Sequence, residues 1–154
     1  VAAPVPPDRP PHPAAPGFSR WPWWRKWFGH RSERAAACYL RSLGYRILAA
    51  NLTDPAGELD LLALDGETLV VVEVRSTSTP GPDALENTAA SVDARKQRKI
   101  TTATLRFLAA RRLLGRVAVR FDVLALNWPS RTRRPVVKHI ANAFPAVGRF
   151  QLYS

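Results

Sequence analysis

The chain has 154 residues, 46% hydrophobic and 23% charged, which suits one domain with a buried core and not two. Its one cysteine, Cys38, excludes an internal disulfide and a cysteine-rich zinc site. No apolar stretch has the length of a membrane-spanning helix, and the proline-rich start lacks the apolar run of a secretory signal, so a cytoplasmic protein is expected. The net charge of +11 is segregated: residues 1–34 carry +4, residues 35–90 carry −5 and residues 91–154 carry +12. Such a surface calls for a polyanion, and carboxylates clustered beside it for a cation. Arginine supplies 19 of the 23 basic residues; a high-GC codon bias explains arginine in place of lysine, but explains the separation of sign less easily.

Residues 1–30 are expected to form a disordered tail. The first 22 hold 8 of the 14 prolines, a composition that favours polyproline II over a packed core. The following WPWWRKWFGHR interleaves tryptophan with basic residues, suited to stacking on bases, to an anionic membrane surface or, equally, to covering an apolar edge of the domain.

The ordered domain is expected over residues 31–154. Ser32 can cap a helix through ERAAACYLRSL, with Gly44 ending it in a left-handed conformation. Cys38 follows three alanines and reads as a small buried side chain. Tyr45 to Ala50 reads as a strand and residues 51–56 as a loop. Glu58 to Leu64 and Thr68 to Arg75 read as two strands joined at Asp65-Gly66. Residues 76–90, rich in Ser, Thr, Pro, Gly and Asn, read as a loop. Ser91 can cap a helix running to about Leu114, with Ile100, Ala103, Phe107, Ala110 and Leu114 as its buried stripe. Strands over Val117–Leu126 and Val136–Ile140 complete an α/β sandwich around a mixed sheet.

The chemistry concentrates in GELDLLALDGETLVVVEVR, residues 57–75. With a two-residue Asp65-Gly66 turn, Asp60 stands opposite Val71 and Glu58 opposite Glu73, and all four of Glu58, Asp60, Glu73 and Arg75 share one face. Asp60 and Glu73 are then diagonal neighbours, with Cα atoms about 7–8 Å apart, a separation from which two carboxylates can converge on one hard cation. The run LVVV describes a strand covered on both faces, where Glu73 and Arg75 are costly unless paired or ligating. The alternative is a solvated edge carrying ordinary surface pairs.

These motifs resemble the YraN-like family of predicted endonucleases, of the PD-(D/E)xK restriction-endonuclease-like superfamily near the archaeal Holliday junction resolvases. The resemblance runs from about Arg31 to Phe144 and rests on Glu33, AACYLRSLGYRIL, Asn51, GELDLLA, VVVEVR, SVDARKQRKI, RFDVLAL and HIANAF. It implies a restriction-endonuclease-like fold with Asp60 and Glu73 as ligands of Mg²⁺ or Mn²⁺. It further implies Glu33 as another ligand, direct or through water, and the Val74 carbonyl as a completing oxygen. Arg75 stands in the place of the superfamily's lysine, and the helix bearing Lys96 and Lys99 meets the phosphate backbone. Residue 59 is Leu where the superfamily name has Pro, a position that carries no ligand. Arginine stays protonated and cannot be the general base that a neutral lysine can be, though it can orient water or stabilise transition-state charge.

Lys96 lies one turn before Ile100, so its ammonium can reach the carboxylates or remain solvated. Arg111, Arg112, Arg131, Arg133 and Arg134 read as phosphate contacts without base readout, or as solubilising surface. Asp122 reads as a structural salt-bridge partner of Arg120. The implied function is metal-dependent phosphodiester hydrolysis in branched or otherwise structured DNA. The alternative is a non-catalytic nucleic-acid-binding module that keeps the fold, and a third reading is a scaffold for an acidic protein. Resolvases of this fold act as dimers, so a homodimer is the matching expectation.

Overall fold

In the computed structural model of the protein, residues 31–130 and 132–147 are described here; the expected tail over 1–30 and Arg131 lie outside them. The elements are α1 (Arg31–Ser42), β1 (Arg46–Asp54), β2 (Gly57–Asp65), β3 (Thr68–Thr77), α2 (Ala84–Ala90), α3 (Ala94–Ala110), β4 (Val119–Asn127) and β5 (Val136–Phe144). The five strands form one mixed sheet in the order β1-β2-β3-β4-β5, antiparallel throughout except for the parallel pair β3–β4. A parallel pair needs a crossover, and α2 and α3 supply it. The result is consistent with a restriction-endonuclease-like sandwich.

LVVV does occupy the centre of the sheet. Leu69, Val70, Val71 and Val72 are all buried, and they face alternate layers. Val70 and Val72 pack with Ala36, Ala37 and Leu40 of α1. Val71 packs with Ala89 of α2 and with Ile100 and Ala103 of α3. Burying each such aliphatic side chain contributes about 1.5–3 kcal/mol, so both helical layers are held by this one strand. Glu73, two residues beyond Val71, inherits the α2/α3 face.

Several boundaries differ from the sequence reading. The segment expected as a loop after Ala50 continues β1 to Asp54, because Leu52 and Thr53 pair with Leu59 and Glu58. The 76–90 loop contains α2, whose Ala84 and Ala89 are buried against the sheet. Asp93, not Ser91, caps α3, its carboxylate accepting from Lys96 N–H at 2.8 Å. That helix ends at Ala110, short of Leu114. Its buried stripe is therefore Ile100, Thr101, Ala103, Thr104 and Leu108 with Phe107 half-buried, while Ala110 and Leu114 are exposed. Cys38 is exposed, since the buried face of α1 runs through Glu33, Ala36, Ala37 and Leu40. Gly44 does end α1 with a positive φ of 88°, and Tyr45 N–H closes the turn onto Leu40 O.

Asp122 is a structural partner. Fully buried on β4, it accepts from Arg120, His139 and the Asn142 N–H, and Arg120 also bridges to Asp65 at 3.0 Å. Burial pushes its carboxyl up, but the bonds from His139, Arg120 and Asn142 outweigh that and hold it below the usual range.

Candidate active site

The turn between β2 and β3 is Gly66-Glu67, flanked by the pair Asp65↔Thr68. This moves the ladder two residues from the expected register, to Leu62↔Val71 and Leu61↔Val72. A shift of two preserves faces, so Asp60 and Glu73 stay on the same side. It also sets them level with each other instead of diagonal. The regular pairing stops at Leu61↔Val72, and beyond it the Val74 N–H donates to Asp60 Oδ2 at 2.8 Å. The β3 backbone thus fixes Asp60 beside Glu73.

On the other side of β2 the alternation breaks at the same level. Asn51 has a φ of 53°, in the left-handed region that asparagine tolerates better than most residues. Across this point Ala50 and Leu61 pack on the α1 layer, whereas Leu52 and Leu59 pack on the α2/α3 layer. Asn51 Nδ2 donates to Glu33 Oε2 at 2.8 Å, so an acid on α1 is tied to the corner that carries Asp60.

Two cations face Glu73. Lys96 Nζ stands 3.0 Å from Glu73 Oε1, reaching down from the first turn of α3. Arg75 lies 3.8 Å from the same oxygen, while its Nε donates to Ser91 Oγ at 2.9 Å. Glu73 is only 3% exposed. Burial is the largest influence on its carboxyl, followed by the charge of Asp60; together they push it up to about 7 against the pull of Lys96. Asp60 is also raised by burial, against the pull of the Val74 N–H and Lys96. Each carboxyl's charge disfavours that of its neighbour, so burial and mutual repulsion act in the same direction on the pair.

Among the described residues, no three acidic, histidine or cysteine side chains converge on a common point. Glu33 is close enough for its charge to raise Asp60, but its bonded partner is Asn51. The donor set at the corner is therefore two carboxylates. That suits Mg²⁺, which binds one or two carboxylates and keeps several waters.

The family model described as "Uncharacterised protein family UPF0102" matches residues 32–126, a span that contains Glu33, Asn51, Asp60, Glu73, Arg75 and Lys96. The chain belongs to the UPF0102 family. The UPF0102 protein RB9115 of Rhodopirellula baltica is 44% identical over 128 residues, covering 81% of this chain and 74% of its own length. The UPF0102 protein GSU0650 of Geobacter sulfurreducens is 41% identical over 119 residues, covering 77% of this chain and 89% of its own length.

In this UPF0102 protein the basic residues read as phosphate contacts divide between two ends of the sheet. Arg133 and Arg134 are exposed on the β4–β5 loop, next to the C-terminal end of β3 where Asn127 pairs with Thr77. The same loop is held to α1 by Trp128 Nε1 donating to Ser32 Oγ and by Arg31 stacked over the Trp128 ring. Lys99 is exposed on α3 beside Gly57. Arg111 and Arg112 close α3 at its far end, about 22 Å from Lys96 at the helical rise of 1.5 Å per residue. Arg111 lies over the Phe107 ring at 4.1 Å, so part of its surface is taken up by packing. Glu58, expected on the same face as Asp60, Glu73 and Arg75, is exposed and off that face, because the alternation of β2 breaks between Leu59 and Leu61; Arg75 meets Ser91 and Glu73.

Asn51 and Ser91 are the residues that sequence reading did not place in the site. Asn51 stood in an expected loop and Ser91 as an expected helix cap. For Asn51 a signal was present, since a lone asparagine between β-formers often marks a left-handed backbone position. For Ser91 there was none. Among the described residues no helix is long and apolar enough to cross a membrane.

Proposed function

We propose that this protein is a metal-dependent nuclease of the restriction-endonuclease-like superfamily, acting on DNA. The observation that carries this reading is the Asp60–Glu73 pair, set level on two adjacent strands and faced by Lys96 and Arg75 in a chain of net charge +11. Two acids held together out of water are costly unless a proton or a cation joins them. Asp60 and Glu73 would hold Mg²⁺ or Mn²⁺, with Glu33 reaching the hydration shell from Asn51. A divalent cation there would lower the pKa of a water and polarise the scissile phosphate.

The chain's own residues supply the rest. The Val74 N–H keeps Asp60 oriented, and Asn51 does the same for Glu33. Lys96 and Arg75 neutralise phosphate charge at the two sides of Glu73; Arg75, fixed by Ser91, stabilises the charge that develops on the phosphate oxygens. Arg133, Arg134 and Arg31 lie at the same end and serve the backbone on either side.

The test is cleavage of linear, flapped and four-way DNA with Mg²⁺ or Mn²⁺, with binding measured on the same samples. Wild type should cut, and the double variant Asp60→Ala/Glu73→Ala should bind without cutting. Salt-sensitive binding without cleavage in either protein would support a non-catalytic nucleic-acid-binding module. Neither binding nor cleavage would remove both readings.

A further inference from the structure

Between the end of β3 and α2 lies a cavity of about 560 Å³ whose wall begins at Val74 and Arg75, the residues that follow Glu73. Its polar lining includes Arg75, Ser76, Thr77, Asn87, Thr88 and Ser91, and among the described residues no carboxylate contributes to it. One guanidinium with hydroxyls and an amide suits an anionic or neutral polar ligand that both donates and accepts hydrogen bonds. A free phosphate would leave most of this open cleft empty, whereas clefts of about 300–1,000 Å³ match ligands of roughly nucleotide size. Arg75 joins the cavity to the carboxylate corner: it lies 3.8 Å from Glu73 and is bonded to Ser91 in the cavity wall.

We infer that this cavity is a subsite for one unpaired nucleotide adjoining the phosphate at the carboxylate pair. The inference rests on the nuclease reading and narrows it to strands with a single-stranded nucleotide at the cut, such as flaps, gaps and branch points. A base inside a duplex reaches such a cavity only at the cost of unstacking and unpairing, which a free nucleotide does not incur. Among the described residues the lining contains no aromatic ring, so these residues hold the base by its edges and, through Arg75, its phosphate. The Thr77, Thr88 and Ser91 hydroxyls already donate within the chain, so they offer acceptor lone pairs, while the Asn87 amide both donates and accepts. With so few fixed donors the subsite recognises the unpaired state and not a base sequence.

The experiment is equilibrium binding of the full chain, without divalent cation, to fluorescein-labelled blunt duplex and to the same duplex with a short 5′ flap. The flap carries 2-aminopurine at its first unpaired position. Wild type should prefer the flap by about tenfold, with 2-aminopurine fluorescence changing on binding. Asn87→Leu/Thr88→Val removes two polar groups of the wall and should lower flap affinity about tenfold, the loss of two neutral hydrogen bonds, leaving duplex affinity unchanged. Asn87→Trp, at an exposed position, fills the cavity and should do the same; thermal unfolding of both variants reports that they fold. Equal affinity for flap and duplex in wild type, or a flap preference that survives in Asn87→Trp, overturns the subsite. Adding Mg²⁺ to the same samples separates the two ideas: a flap preference without cleavage keeps the subsite and removes the nuclease.

Discussion

Replacing Glu73 by glutamine should make the protein more stable at pH 8. The folded chain holds this carboxyl up to about 7, against an ordinary 4.5, so between those values the unfolded chain has released a proton that the folded chain keeps. Stability then falls as pH rises. The contribution is complete below pH 4.5, is lost across pH 4.5–7 and is flat above. At about 1.36 kcal/mol per pH unit, that gap amounts to at most about 3 kcal/mol. The substituted glutamine carries no charge, and its amide can still donate to Asp60. Its cost is the ion pair with Lys96, whose side chain is about a third exposed, and such pairs contribute about 0.2–1 kcal/mol. The net expectation is a gain of about 1–3 kcal/mol at pH 8 and no gain at pH 4.5. Urea unfolding followed by circular dichroism at both pH values measures it. Millimolar Mg²⁺ at pH 8 should then stabilise wild type and not the variant. A variant equally destabilised at pH 4.5 and pH 8 would refute the reasoning, since Glu73 would then be ionised and simply paired with Lys96 throughout.

Other outcomes follow from the same geometry. Asp122→Asn should cost about 3–5 kcal/mol, because Arg120 and His139 lose the buried charge they surround; chemical denaturation measures it. Asn51→Ala should be less stable than Asn51→Gly by about 1 kcal/mol, the cost of placing alanine at φ 53°, while both lose the bond to Glu33. Leu61→Ala, at a fully buried position between β2 and α1, should cost about 2–5 kcal/mol. If the nuclease reading holds, Arg133→Ala/Arg134→Ala should weaken DNA binding and flatten its salt dependence by about one unit of slope per contact. Arg111→Ala, at the far end of α3, should change both much less.

Much of this protein follows from local pattern. The unbroken LVVV run specifies a central strand because only a strand buried on both faces tolerates it, and the structure places β3 at the middle of the sheet. Glycine at 44 fixes the end of α1, and the alternation from Asp60 to Leu64 fixes the faces of that part of β2, since both depend on the backbone of a few adjacent residues. The alternation fails between Leu59 and Leu61, which pack on opposite layers. The shared face of Asp60 and Glu73 was legible for the same reason, and it survived a misplaced turn because the error in register was even. Local pattern also sufficed for Asp122, which alternates with Arg120 on one strand.

Most of what the sequence left undecided depends on residues far apart in the chain. The hairpin is the exception: Asp60 stands level with Glu73 because the turn falls at Gly66-Glu67, where Gly66 takes a φ of 62° at the first turn position. Asn51 meets Glu33 from 18 residues away, and Lys96 meets Glu73 only because the crossover lays α3 on that face of β3. α2 is similar: its composition reads as a loop, and it is helical because Ala84 and Ala89 are buried against the sheet. In each of these longer-range cases a local preference is worth less than the apolar burial and pairing that the assembled sheet provides. The sequence supplied the carboxylates, the cations and their strand faces; only the packed sheet set them within reach of one another.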